Sequence, residues 1–188
     1  MRTRHLAARL LWLVAFVLAA APAAAPACSF CYSLGGNPLA LPHPRAIEVA
    51  VATRAAIEKG LLSDRQLIRS DTLPAGGHGF VALDKVPAAV LVQAWAAKLG
   101  RLELGDSPLS VHFLFIDTEQ SCGLSVRGGA VLFEGKPSFH SDARVVTTRA
   151  AFHALLDGAL SLAEARRLGL LLVEGDDRAD ALVPSQPR

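Results

Sequence analysis

Aromatic side chains are scarce in this chain of 188 residues, at 6% of the total with a single tyrosine and two tryptophans. Its core must therefore be built from Ala, Leu and Val, a composition that describes a packed domain and says little about a ligand. Basic clusters are equally sparse. Past the first few residues the only adjacent pair of cations is Arg166–Arg167, which argues against nucleic acid as a partner. No glycine-rich turn joins a strand to a helix in a βαβ context, so a dinucleotide fold has little support. A membrane span is not the favoured reading of the apolar residues near the start of the chain, with a retained N-terminal anchor as the alternative. Its most apolar stretch, Leu10 to Leu18, is short for that purpose and no basic stop follows it.

What surrounds that stretch is more informative. Arg2, Arg4 and Arg9 make a basic start, and Ala25-Pro26-Ala27 presents a small-x-small cleavage site just before Cys28. This order reads as a Sec-type export signal, with residues 1–27 removed. The expected location is the periplasm or the outside of a bacterial cell. Attachment to lipid through Cys28 is an alternative, although Ala25 stands where lipoprotein signals usually place Leu. Removing the signal leaves 161 residues and turns the formal charge from +2 to −1. That is enough chain for one domain with a real core.

Cysteine is rare too: Cys28, Cys31 and Cys122 are the full set. In an oxidising compartment a disulfide is the default for two of them, and the favoured pairing joins Cys122 to Cys31 or Cys28. The CxxC pair leaves other uses open. Redox catalysis needs an activated thiolate at a helix N-terminus after a strand, and here the export signal occupies the place of that strand. Tyr32 stands where c-type haem attachment requires His. Three thiolates plus one imidazole, from His43, His78, His112 or His140, would suit zinc, and copper is another candidate ion. None of these histidines has diagnostic spacing.

Catalytic constellations are also missing. Ser125, His112 and Asp117 fall near one edge, but Ser125 lies within an alternating strand rather than a nucleophile elbow. The acidic residues Asp71, Asp84, Asp106, Asp117 and Glu119 lack a spacing that forces a pair, and they read as solvated surface. A non-enzymatic role is expected.

Punctuation and periodicity divide the rest. Residues 28–44 form an irregular arm. Ala46 to Leu62 is helical, with Ile47, Val51 and Ala55 along one stripe. Ser70 to Gly79 is a breaker segment. A second helix follows Pro87, with Val90, Leu91, Ala94 and Trp95 facing inward. Val111–Ile116 is a strand, and Cys122–Arg127 and Ala130–Glu134 form a hairpin about Gly128-Gly129, since a tight primed turn needs positive φ at both central residues. Ala143–Val146 is a further strand. Thr148 caps a helix through Leu156, Ser161 and Glu164 form a capping box, and Leu170–Glu174 is the last strand. Antiparallel hairpins with helices grouped on one face give an α+β layer. The divisions are 1–27 signal, 28–85 arm and first helix, 86–183 main domain, and 184–188 tail.

Four segments then carry a family likeness: VHFLFID (111–117), GLSVRGGAVLFEG (123–135), DARVVTTRAAFHALLDG (142–158) and LSLAEARRLGLLLVEGD (160–176). From Ser110 to Asp176 the chain resembles the sterol carrier protein type-2 domain family, and Val90–Leu99 matches that family's first helix. The resemblance implies a curved, mainly antiparallel sheet of about five strands covered by helices, with an apolar tunnel between the layers. It also implies a hydrophobic small molecule or lipid as ligand. On that frame the residues expected to line the cavity are Phe113, Phe115, Leu124, Val126, Val131, Phe133, Phe152, Leu156 and Leu171. Two other roles stay open: a periplasmic metal- or thiol-dependent accessory factor using the cysteines, and a structural module with a protein partner.

Overall fold

In a computed structural model, residues 43–69, 79–105, 107–118, 120–136 and 140–184 are described. Residues 1–27, which the sequence reading takes as an export signal, lie outside them, as do Cys28, Cys31, His78, Asp71, Asp106, Glu119 and residues 185–188. The first helix, α1, runs Ala46–Glu58. Two three-residue strands, β1 (Leu67–Arg69) and β2 (Phe80–Ala82), pair antiparallel and lead through a 3₁₀ turn into α2 (Ala88–Leu99). The main sheet follows with β3 (Leu109–Phe115), β4 (Gln120–Arg127), β5 (Ala130–Glu134) and β6 (Ala143–Thr147). Helices α3 (Arg149–Leu156) and α4 (Leu162–Arg167) precede the last strand, β7 (Leu172–Gly175), and a closing 3₁₀ segment, Asp177–Leu182.

The expected punctuation is present at several points. Gly128 and Gly129 have φ of 54° and 79°, the left-handed values that a primed hairpin turn demands. Thr148 accepts a hydrogen bond from the Ala151 amide, and Ser161 accepts one from the Glu164 amide, so both helix starts are capped by the residues their sequence marked.

The five strands are ordered β5-β4-β3-β6-β7, and this corrects the expectation of a curved, mainly antiparallel sheet. β3 and β6, at its centre, pair in parallel, so the sheet is mixed. It is also open: β5 and β7 are its two edges, and it does not curl round to join them. The physical reason is chain direction. β3, β4 and β5 alternate as a meander, so β5 runs the same way as β3. β6 lies on the far side of β3 from β4 and runs in that same direction.

Strand alternation sends Leu109, Val111, Phe113 and Phe115 to one face, with Cys122, Leu124 and Val126 beside them on β4. Helices α2 and α3 cover this face and complete the main core. The helices are not confined to that side. Leu114 and Val146 point the opposite way and are buried, as are Ala46, Val49 and Ala50 of α1, which packs against β6. Thr53 of α1 meets Thr148 Oγ1 at 3.4 Å. The stripe Ile47–Val51 faces solvent instead, because Ala46, Val49, Ala50, Thr53 and Ala56 form the closer-fitting face. Small residues allow α1 to sit near the strands.

The expected disulfide through Cys122 is also corrected. Cys122 is a free thiol, 1% exposed, on the core side of β4 opposite Phe113. Its alternation with Leu124 and Val126 places it beneath the helices, and burial pushes its thiol from the ordinary 9.0 up to about 12.

Candidate functional site

A cleft of about 510 Å³ opens between the β1–β2 hairpin and the outer sides of α2 and α3. Consecutive residues Gln66 to Arg69 form one wall. The Gln66 carbonyl accepts from the Leu83 amide, which makes 66/83 and 68/81 the hydrogen-bonded pairs of the hairpin. The main-chain groups of Leu67 therefore point away from β2. Helix α2 supplies Leu91, Ala94 and Lys98, and α3 supplies His153 and Leu156, with Asp157 just past its end.

The floor is apolar and the margin is polar. Ile68 and Leu91 are buried, Leu67 is 64% exposed at the lip, and Leu156 is half-buried. Gln66 Nε2 donates to Asp157 Oδ2 at 3.3 Å, tying the hairpin to α3. His153 Nδ1 lies 3.4 Å from the same carboxylate oxygen, yet it is sealed from solvent and not aligned for a hydrogen bond. Burial pulls the His153 pKa down, and Asp157 offsets part of that effect. The Lys98 ammonium sits 5.8 Å from the centre of the Trp95 ring.

The nine residues singled out from the sequence fall mostly elsewhere. Phe113, Phe115 and Phe152 come together in the main core, with Phe152 meeting Phe113 edge to face at 5.8 Å and Phe115 at 5.4 Å between ring centres. Leu124 and Val126 are buried beside them, and Val131 and Phe133 pack against the same core from β5. Leu171 lines a smaller cleft of about 240 Å³ bordered by α1 and β7. Leu156 lines the larger cleft. Sequence reading missed Gln66, Leu67, Ile68 and the pair His153/Asp157. The available signal was the spacing of His153 and Asp157, four apart and so on one side of a helix end.

The remaining candidates are scattered. His43 Nε2 is 2.9 Å from Glu174 Oε2, and its Nδ1 accepts from the Arg45 amide. His112 is on the other sheet face from Cys122, next to Arg144 on β6. Its Nε2 and the Ser125 hydroxyl are both buried without a partner. His140 borders a polar cleft with Ser125, Arg127, Glu134 and Asp142. Among the described residues no group of three or more His, Cys, Asp and Glu could hold a metal ion. Among them, too, no helix is long and apolar enough to cross a membrane.

No family model and no curated protein matches the chain. Solved structures give a distant similarity to SCP2-like domains. Sterol carrier protein 2 like 2 from Aedes aegypti aligns at 14% identity over 48% of this chain and 87% of its own, with a TM-score of 0.38. Sterol carrier protein 2 from Yarrowia lipolytica, in its apo form, aligns at 14% identity over 56% and 84%, with a TM-score of 0.32. A stereoselective inverting sec-alkylsulfatase from Pseudomonas sp. aligns at 17% identity over 56% of this chain, with a TM-score of 0.46. The chain spans 17% of that sulfatase's length.

Proposed function

We propose that this chain is an exported, non-enzymatic protein that binds a hydrophobic small molecule or an acyl chain in the cleft between the β1–β2 hairpin, α2 and α3. The observation that supports this is the lining: Ile68, Leu91, Ala94 and Leu156 make an apolar trough, and Gln66, Lys98 and Asp157 mark its polar margin. Apolar walls with a few placed polar groups, in a volume of this order, are the usual form of a small-ligand site. Each methylene buried there contributes about 0.8 kcal/mol. Export rests on the basic start, apolar run and small-x-small site of residues 1–27.

The test is displacement of a fluorescent fatty-acid probe, alongside native mass spectrometry of the purified protein for retained lipid. Ala94 is half-buried and borders the cleft, so Ala94→Trp fills the trough without opening the main core. The expected result is wild-type uptake of the probe and a loss of about tenfold or more in Ala94→Trp, with an unchanged unfolding midpoint. A wild type that takes up no probe, or a variant that binds as well as wild type, refutes the proposal.

A further inference from the structure

Ser125 is 2% exposed, and its hydroxyl is buried without a hydrogen-bond partner. A hydroxyl taken out of water in this way forfeits the bonds it made there, whereas valine fills a strand position with no polar atom to satisfy. Alternation turns Ser125 away from the main core, onto the sheet face it shares with Ser110, Arg127 and Glu134. It lines there a cleft of about 450 Å³. The register sets Ser110 directly opposite Ser125, and Asp142 Oδ2 accepts from the Ser110 amide at 2.7 Å. Toward β5, Arg127 Nη2 stands 3.5 Å from Glu134 Oε1. His140 completes the polar border. The hairpin cleft shares none of these residues.

From this juxtaposition we infer that the cleft is a second binding site, for a compact polyhydroxyl ligand of the saccharide class. The walls decide between ligand classes. An acyl chain would lie against two carboxylates and a guanidinium, stripping all three of water. An anion finds Arg127 already matched by Glu134 and is repelled by Asp142, whose carboxylate keeps its charge while it accepts from the Ser110 amide. A cation gains Asp142 alone, at the exposed rim, where an ion pair is worth little. A metal ion lacks its ligand set, since among the described residues no three His, Cys, Asp or Glu come together to hold one. A ligand with several neutral hydroxyls meets no repelling charge. Its hydroxyls donate to Asp142 and Glu134, accept from Arg127, and do either with Ser125. The carboxylates and the guanidinium each present two polar atoms side by side, which suits neighbouring hydroxyls on a ring.

Saturation-transfer NMR of the purified protein tests this with a panel of glucose, galactose, mannose, N-acetylglucosamine and myo-inositol. Acetate, ethylammonium and glycine serve as the anionic, cationic and zwitterionic probes. Saturation is expected to reach at least one of the hydroxylated compounds and none of the charged ones. Ser125→Ala removes the hydroxyl and no hydrogen bond of the fold, so its unfolding midpoint is expected to stay the same or rise. Its affinity for the bound compound is expected to fall about tenfold. Asp142→Asn keeps an oxygen for the Ser110 amide and is expected to weaken binding in the same direction. Ala94→Trp, which fills the hairpin cleft, is expected to bind the compound like wild type. A wild type that ignores the whole panel overturns the inference, as does equal affinity in Ser125→Ala. Preference for a charged probe overturns the ligand class, and loss of binding in Ala94→Trp moves the site to the other cleft.

Discussion

Arg149 Nε lies 2.8 Å from Asp117 Oδ2, with the two side chains only 15% and 12% exposed. The Arg149 amide donates to the other carboxylate oxygen at 3.2 Å, so Asp117 also serves the first turn of α3. The guanidinium reaches further, donating to the carbonyls of Asp84 at 2.8 Å and Val86 at 3.1 Å. One side chain thus joins the turn after β3, the start of α3 and the 3₁₀ turn leading into α2. Asp117 is not the solvated surface acid that its sequence context suggested.

Removing one partner leaves the other charge half-buried and alone. Asp117→Ala is expected to cost about 3 kcal/mol of stability, read as a lower urea midpoint at unchanged slope. Arg149→Lys is expected to lose most of that too, because an ammonium cannot reach the carboxylate and two carbonyls in one plane. Near-wild-type midpoints in both variants would show that the pair is a surface contact.

Which parts of the fold the sequence reveals follows from the range of the interactions. The hairpin at Gly128-Gly129 and the caps at Thr148 and Ser161 are set by neighbours in the chain, so their residues announce them. The parallel pairing of β3 with β6 is set by how the whole meander docks, and Ala143–Thr147 reads the same in either direction. The side of α1 that packs was hidden because Ile47 and Val51 are the larger apolar groups, while close packing selects Ala46, Ala50 and Thr53. The cleft was hidden for a further reason. Two strands of three residues carry no measurable period, and Ile68 and Val81 meet only through the hairpin. His153 and Asp157 were visible as helix residues, but their neighbour Gln66 lies 91 positions away from Asp157.

Glycine substitutions rank by what a Cβ would meet. At Gly175, φ is +100° and the added carbon falls within 2.9 Å of Ala143 Cα and closer still to the Asp142 carbonyl. At Gly129, φ is +79° and the nearest atom is the Leu102 carbonyl at 3.4 Å. At Gly128, φ is +54° with open space around it. Alanine is expected to cost about 1 kcal/mol at Gly128, about 1–2 at Gly129 and about 3 or more at Gly175. Thermal midpoints of the three variants give the order directly. A Gly128 loss as large as that at Gly175 would refute the assigned contacts between β6 and β7.

Two histidines make stability fall on mild acidification. Burial lowers the pKa of His112, with Arg144 beside it acting in the same direction, and burial lowers that of His153 against the opposing pull of Asp157. Below the ordinary value of 6.5 the unfolded chain takes up protons at these sites that the native state does not. Stability is therefore fully present above 6.5 and declines as pH falls below it. This window lies above that of Asp176, whose carboxyl is held below its usual 3.8 chiefly by hydrogen bonds from Arg178. Urea midpoints across about pH 7 to 5 are expected to drop for wild type and to drop less for His112→Asn. The same slope in both proteins would remove His112 from the account.

Cys122 gives the mirror case at high pH. Its thiol is raised to about 12 by desolvation, whereas in the unfolded chain it ionises near 9.0. The native state thus keeps a proton that the unfolded state releases. The stability tied to this proton is complete below 9.0 and is lost as pH rises toward 12. The same burial governs reactivity, since the thiolate is the nucleophile and Sγ lies under α2 and α3 on the core side of β4. In Cys28→Ser/Cys31→Ser protein, iodoacetamide at mildly alkaline pH is expected to leave Cys122 unmodified in the native state and to alkylate it fully in urea. Cys122→Ala removes the alkaline slope at the cost of a small cavity, about 1–2 kcal/mol at neutral pH. Rapid alkylation of the folded protein would mean that Cys122 is accessible, and would place β4 in a different register against β3.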